Sequence, residues 1–244
     1  MRLSLPILAL SILSACSTAP TEEQGTTVPV EPLAEAPVEW TGYYTGTMRT
    51  PNLPEVEFAL WVRSDSTFVR QAGFVGRDSI PQGIIGHWHV VNGRLALRTS
   101  DEKPDLFRHT AKGLLMVDEM GEALTDGGPV LLERITDEIN EEIPRMKVSG
   151  TFTYMADAMS FRPCGSRFSW PCAGGEQWTD EGEVLGSLNT AELERHYLRS
   201  VEQGGDPWLI EVECNLVMGP AMEGDGADEY LFIHRVLMEV AACP

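Results

Sequence analysis

The stretch Gly86-His87-Trp88-His89-Val90-Val91-Asn92-Gly93-Arg94-Leu95-Ala96-Leu97-Arg98 decides the fold class. Asn-Gly between two apolar-rich runs is the strongest short-range hairpin signal, because both central residues of a type I′ turn need positive φ. Arg94 to Arg98 alternates cleanly, which is the period of a half-covered strand. The same grammar repeats on both sides. Val56-Glu57-Phe58-Ala59-Leu60-Trp61-Val62 alternates in part, with Val56, Phe58, Leu60 and Val62 on one face. Ser64-Asp65-Ser66 turns the chain into Thr67-Phe68-Val69-Arg70, and Tyr43-Tyr44 sits between Gly42 and Gly46. Lys112 to Val117 and Val130 to Arg134 close the series. Short strands with turns every ten or so residues predict an antiparallel barrel or sandwich.

The two ends of the chain read differently. Met1-Arg2 is followed by a short apolar run from Leu3 to Leu13 and by Ser14-Ala15-Cys16. The run is too short for a permanent membrane span, and its layout is that of a secretory signal. Leu13-Ser14-Ala15-Cys16 resembles the lipobox of bacterial lipoproteins. That resemblance implies removal of residues 1–15 and acylation of Cys16, palmitate-type chains anchoring the protein to a membrane. Each buried CH₂ adds roughly 0.8 kcal/mol to such an anchor. Residues 16–38 are rich in Ser, Thr, Pro, Glu and Ala and read as a flexible tether. Ser17, where many inner-membrane lipoproteins carry Asp, resembles an outer-membrane address facing the periplasm. Residues 39–136 form the first domain, the acidic segment 137–146 reads as a linker, and residues 147–244 form the second domain.

The formal net charge is -19, the second domain being the more acidic. Phosphate backbones need clusters of Lys and Arg; the chain has none, which excludes nucleic acid as a partner. There is no Gly-x-Ser-x-Gly elbow, no His-Glu-x-x-His and no Walker loop, so the chain does not read as an enzyme. Five cysteines are present. Apart from Cys16 they are Cys164, Cys172, Cys214 and Cys243, an even set in an exported protein, with three possible pairings. His87 and His89 share one face of a strand and are the candidate metal ligands, without a third donor close in sequence. The pairs Met116/Met120, Met155/Met159 and Met218/Met222 read as core filling. Asn189 with Glu192 suggests a capping box. It would open a helix whose stripe is Leu193, Tyr197, Leu198 and Val201, stopped by Gly204-Gly205. The acidic run Gly224–Glu229 reads as a surface turn.

Several segments, in order, resemble one family. Trp40 to Gly46, Phe58-Ala59-Leu60, Gly86-His87-Trp88, Leu95-Ala96-Leu97, Met116 to Gly121 and Leu131 to Arg134 are similar to the N-terminal domain of NlpE-type copper-resistance and envelope-stress lipoproteins. Tyr154-Met155-Ala156-Asp157-Ala158 through Cys164, then Leu193 to Leu198, Gly219 to Gly226, Tyr230 to Ile233 and Cys243, resemble the C-terminal domain found in that family. The resemblance implies a mainly all-β protein of two small antiparallel barrels. The N-terminal one would be lipocalin-like and NlpE-like, and the C-terminal one OB-fold-like with one helix. It implies a non-enzymatic role in copper or envelope-stress homeostasis or sensing, exerted through contacts with an envelope sensor or other periplasmic proteins. It also pairs Cys164 with Cys243, which occupy the family's cysteine positions, and leaves Cys172 to pair with Cys214. Pro51-Asn52-Leu53-Pro54-Glu55 stands where the family carries Cys-x-x-Cys. Asn52 and Glu55 replace the thiolates that would select Cu(I), so no cofactor is expected. A second reading is a lipocalin-like carrier holding a small apolar ligand inside the first barrel.

Overall fold

The computed structural model describes residues 39–49, 54–77, 79–99, 103–124, 130–136, 143–156, 158–173, 190–221, 225 and 227–243. The lipobox cysteine Cys16, the tether, Asn52, Met222 and the helix cap Asn189 lie outside them.

Eight strands build the first barrel: β1 (Gly42–Met48), β2 (Val56–Val62), β3 (Thr67–Phe74), β4 (Gln82–Val91), β5 (Arg94–Arg98), β6 (Asp105–Thr110), β7 (Gly113–Val117) and β8 (Leu131–Thr136). Consecutive strands pair antiparallel, β8 returns to β1, and β4 pairs with β3 along Gln82 to His87 and with β5 along His87 to Val91. Closure leaves no free edge. The Asn92-Gly93 turn takes positive φ at both residues (49° and 69°), as a type I′ hairpin requires. Tyr44, Leu60, Val62, Phe68, Leu95, Phe107, Leu114 and Leu132 fill the interior. Three aromatic rings and several leucines, all essentially without exposure, make this a packed core rather than a calyx.

The second barrel comprises β9 (Ile143–Met155), β10 (Ala158–Pro163), β11 (Trp170–Ala173), β12 (Trp208–Pro220) and β13 (Ala227–Glu239). Its order is β9-β12-β13-β11-β10, closed by β10 on β9. Among the described residues of this barrel, only β11 with β13 is parallel. Residues 143–146, expected in the linker, are instead the start of β9: Ile143 opposes Leu216 and Met146 opposes Cys214, and both side chains are buried. The apolar pair Ile143 and Met146 explains this, since the acidic residues between 137 and 142 obscure a strand whose inward positions begin only at Ile143. The helix α1 (Thr190–Ser200) buries Leu193 and Tyr197 against β9 and β12. Leu198, expected on that stripe, is half exposed. The Tyr197 hydroxyl is held by two contacts: it donates to Asp206 O (2.7 Å) and accepts from Gly205 N–H (2.9 Å).

The barrels share one core. Trp61, Val69 and Ile85 point outward from the first barrel and belong to the same apolar cluster as Ile143, Met146, Val148, Tyr197 and Leu231. Tyr43 stacks on Trp61 with ring centroids 4.8 Å apart. β4 and β9 meet in a short parallel contact, Gln82 beside Lys147, with Lys147 N–H donating to Pro81 O (2.9 Å). Gly83 permits this approach: a Cβ there would lie 2.5 Å from Met146 Sδ.

Candidate functional site

The chemistry-bearing residues converge on the junction between the barrels. At one end the β2–β3 turn presents Arg63, whose guanidinium donates to both carboxylate oxygens of Glu229 on β13 (2.9 and 2.7 Å). Trp170 Nε1–H, from β11, donates to the same carboxylate (2.7 Å). Both charged side chains are largely buried, and three charge-assisted hydrogen bonds on one carboxylate give this clamp fixed geometry. Arg63 also offers its carbonyl to Trp88 Nε1–H (2.8 Å), tying the clamp to β4. Glu229 belongs to the acidic run that the sequence presents as a surface turn. The structure instead places its carboxylate inside the junction, while Asp225 remains exposed.

The segment after β10 forms the second contact. Cys164 is bonded to Cys243, with Cα atoms 5.5 Å apart, so the C-terminal residues are stapled to the end of β10. Gly165, at φ +83°, lies so close to Thr99 that a Cβ would overlap its carbonyl oxygen. Arg167 N–H then donates to His87 Nε2 (2.9 Å), and Phe168 sets its ring edge-on to the His87 imidazole, centroids 5.0 Å apart. An imidazole nitrogen that accepts is deprotonated, so His87 is the neutral Nδ1–H tautomer here. Burial pushes its pKa down, the Arg167 charge pushes the same way, and Asp65 opposes them.

His87 and His89 do share a strand face, but their surroundings separate them. His87 is spent on Arg167, and His89 is exposed. Among the described residues no group of three His, Cys, Asp or Glu could hold a metal ion. Glu55 is paired with Arg49 (2.8 Å), and that hydrogen bond lowers its pKa.

Cys172 and Cys214 are free, buried thiols rather than the second bridge expected. Cys172 stands opposite Leu231 and Cys214 opposite Ile233, on the two flanks of β13. Strands two places apart are separated by roughly 9–10 Å, beyond the Cα separation of about 7 Å that a disulfide spans. Burial pushes both thiols upward, with the neighbouring Cys214 adding to the shift at Cys172 and Glu213 adding at Cys214. Both are therefore poor nucleophiles. Core filling by methionine fails as well at Met120, Met155 and Met218, which are 87%, 63% and 43% exposed. Their apolar character was the only signal; Met155 and Met218 lie on outward strand positions and Met120 in a turn after β7.

Sequence pattern had not revealed the cavity of about 630 Å³ between the mouth of the first barrel and the side of the second. Ile84 and Leu97 come to it from the first barrel, and Val148, Glu211 and Met238 from the second. Arg70 and Asp105, ion-paired with each other, stand at its edge. Its walls come from strands distant in sequence, which no local period could indicate.

Fold and junction together define a double-barrel β protein whose smaller barrel is an OB domain. Residues 142–240 match the family model described as the NlpE C-terminal OB domain. Over 217 residues the chain is 23% identical to Lipoprotein NlpE of Escherichia coli strain K12, spanning 88% of this chain and 83% of that protein. The crystal structure of the Cpx pathway activator NlpE from Escherichia coli is similar at 21% identity, covering 80% of this chain and 93% of that one, with a TM-score of 0.31.

Proposed function

We propose that this protein is a lipid-anchored envelope lipoprotein that acts without catalysis in envelope-stress sensing, through contacts with other envelope proteins. The observation that carries the reading is the relationship to NlpE along 88% of the chain, together with the OB-domain match. The solved relative is a Cpx pathway activator, and the same kind of signalling role is proposed here. In this reading residues 1–15 are the signal, Cys16 carries the lipid, and 16–38 form the tether. Residues 39–136 and 147–244 are the two barrels, with β9 beginning inside the connecting segment. The outer membrane, on its periplasmic side, is the proposed location. Copper enters only indirectly, because Asn52 and Glu55 stand where thiolates would be needed. The carrier alternative receives no support from a first barrel filled by Tyr44, Phe68 and Leu60.

The test uses the full chain expressed in a Gram-negative host carrying an envelope-stress reporter. Ser17→Asp should hold the lipoprotein at the inner membrane, raise reporter output severalfold, and increase crosslinking to an inner-membrane protein. Cys16→Ala should abolish both effects. A reporter that stays flat when wild type and Ser17→Asp are both overproduced would sink the proposal.

A further inference from the structure

We propose that the cavity at the mouth of the first barrel binds a small zwitterion with an apolar body, of the class of short apolar peptides. Its volume, about 630 Å³, lies in the ordinary range of ligand sites, and barrel mouths are a preferred place for them. The body of such a ligand would lie against Ile84 on one wall and Met238 and Val240 on the other. Two charges of opposite sign face the cavity from opposite barrels. Lys103 comes from the segment entering β6, and Glu211 from β12. Glu211 lies between Ile210 and Val212, whose side chains are buried in the second barrel's core, so alternation turns the carboxylate out toward the first barrel.

The charge pattern selects the class. Arg70 and Asp105 neutralise each other in their ion pair. Lys103 holds Glu119 in a pair that is 66% and 70% exposed, and such pairs contribute only about 0–1 kcal/mol, so the ammonium is easily recruited. Glu211 makes no ion pair among the described residues. A simple anion would meet Lys103 but be repelled by Glu211, and a simple cation would meet the reverse. A molecule with a carboxylate at one end and an ammonium at the other satisfies both. The far wall is held covalently, since Cys164 and Ala242 line the cavity and the 164–243 bridge fixes the residues between Val240 and Cys243. This inference does not rest on the signalling role.

The test is isothermal titration of the full mature lipoprotein in detergent with leucyl-leucine. N-acetyl-leucyl-leucinamide, which has the same apolar body and no charges, serves as the comparison. The free dipeptide should saturate at one per chain, and the blocked one should bind at least about tenfold more weakly, the effect of losing a charge-assisted contact. Lys103→Met and Glu211→Gln should each weaken the free dipeptide by a similar factor while the melting temperature stays that of wild type. Three results would each overturn the proposal: no saturable heat at millimolar dipeptide, equal binding of the blocked form, or indifference to both substitutions.

Discussion

At the scale of single residues, His87 carries the clearest consequence. It accepts a hydrogen bond from Arg167 N–H, and its pKa is lowered first by burial and then by the Arg167 charge, against the opposing pull of Asp65. On the neighbouring strands, Arg98 and Thr67 stand opposite it. Folding therefore selects the neutral ring. A group whose folded pKa is depressed in this way binds more protons when unfolded, so its contribution is complete above the ordinary histidine value of about 6.5. That contribution is lost as pH falls below the ordinary value. Thermal unfolding between pH 7.5 and 5 should show wild type losing more stability than His87→Gln, whose amide oxygen retains an acceptor without a titration. Parallel pH profiles for the two proteins would contradict this. The histidine itself was legible, since strand alternation placed His87 and His89 on one face; its partner, 80 residues away, was not. The cysteines divide likewise. Cys164 and Cys243 fall on recognisable family positions, whereas nothing local reveals that β13 runs between Cys172 and Cys214 and keeps their backbones apart.

At the scale of elements, legibility followed coverage. Strands with one wet face, such as β5, announce themselves by alternation. In β2 the run Ala59-Leu60-Trp61-Val62 does not alternate because both faces are covered: Leu60 and Val62 fill the first barrel, and Trp61 enters the shared core. β6 escapes pattern reading for the same reason. Leu106 and Phe107 are adjacent and both buried, Phe107 inside the barrel and Leu106 in a small cluster with Ala96 and Val117. β12 carries Glu213 in mid-strand, a residue that argues against a strand on its own. In the fold it is buried between Arg145 (3.2 Å) and Arg235 (3.0 Å) from the strands on either side. The clamp between the β2–β3 turn and β13 gives the element-scale prediction. Glu229→Gln removes the charge that Arg63 and Trp170 converge on, leaving a mostly buried guanidinium without its counter-ion. Hydrogen bonds to charged groups contribute about 1.5–3 kcal/mol, so the variant should lose about that much in urea denaturation. Trp170→Phe, which removes one donor and part of the buried ring, should lose at least about 1 kcal/mol. A Glu229→Gln midpoint equal to wild type would mean that the clamp contributes nothing to holding the barrels together.

At the scale of the molecule, the question is whether two barrels behave as two domains. A linker joining independent units would leave each with its own core and its own unfolding transition. Here Trp61, Val69 and Ile85, which the first barrel turns outward, complete the core of the second. The Cys164–Cys243 bridge lies beside the cavity where the barrels meet. Neither barrel can lose its structure without exposing apolar surface on the other. Calorimetry of the full chain should therefore show one transition, with calorimetric and van't Hoff enthalpies in agreement. Replacing both Cys164 and Cys243 with serine tests the covalent part separately. The bridge closes a loop with a sequence separation of 79, and its removal should cost about 2–4 kcal/mol by releasing the unfolded chain. The transition should move to lower temperature and remain single, because the shared core is untouched. A wild-type trace with two resolved transitions would show that the buried contact at Trp61 does not couple the barrels. Two transitions only in the serine variant would assign that coupling to the disulfide instead.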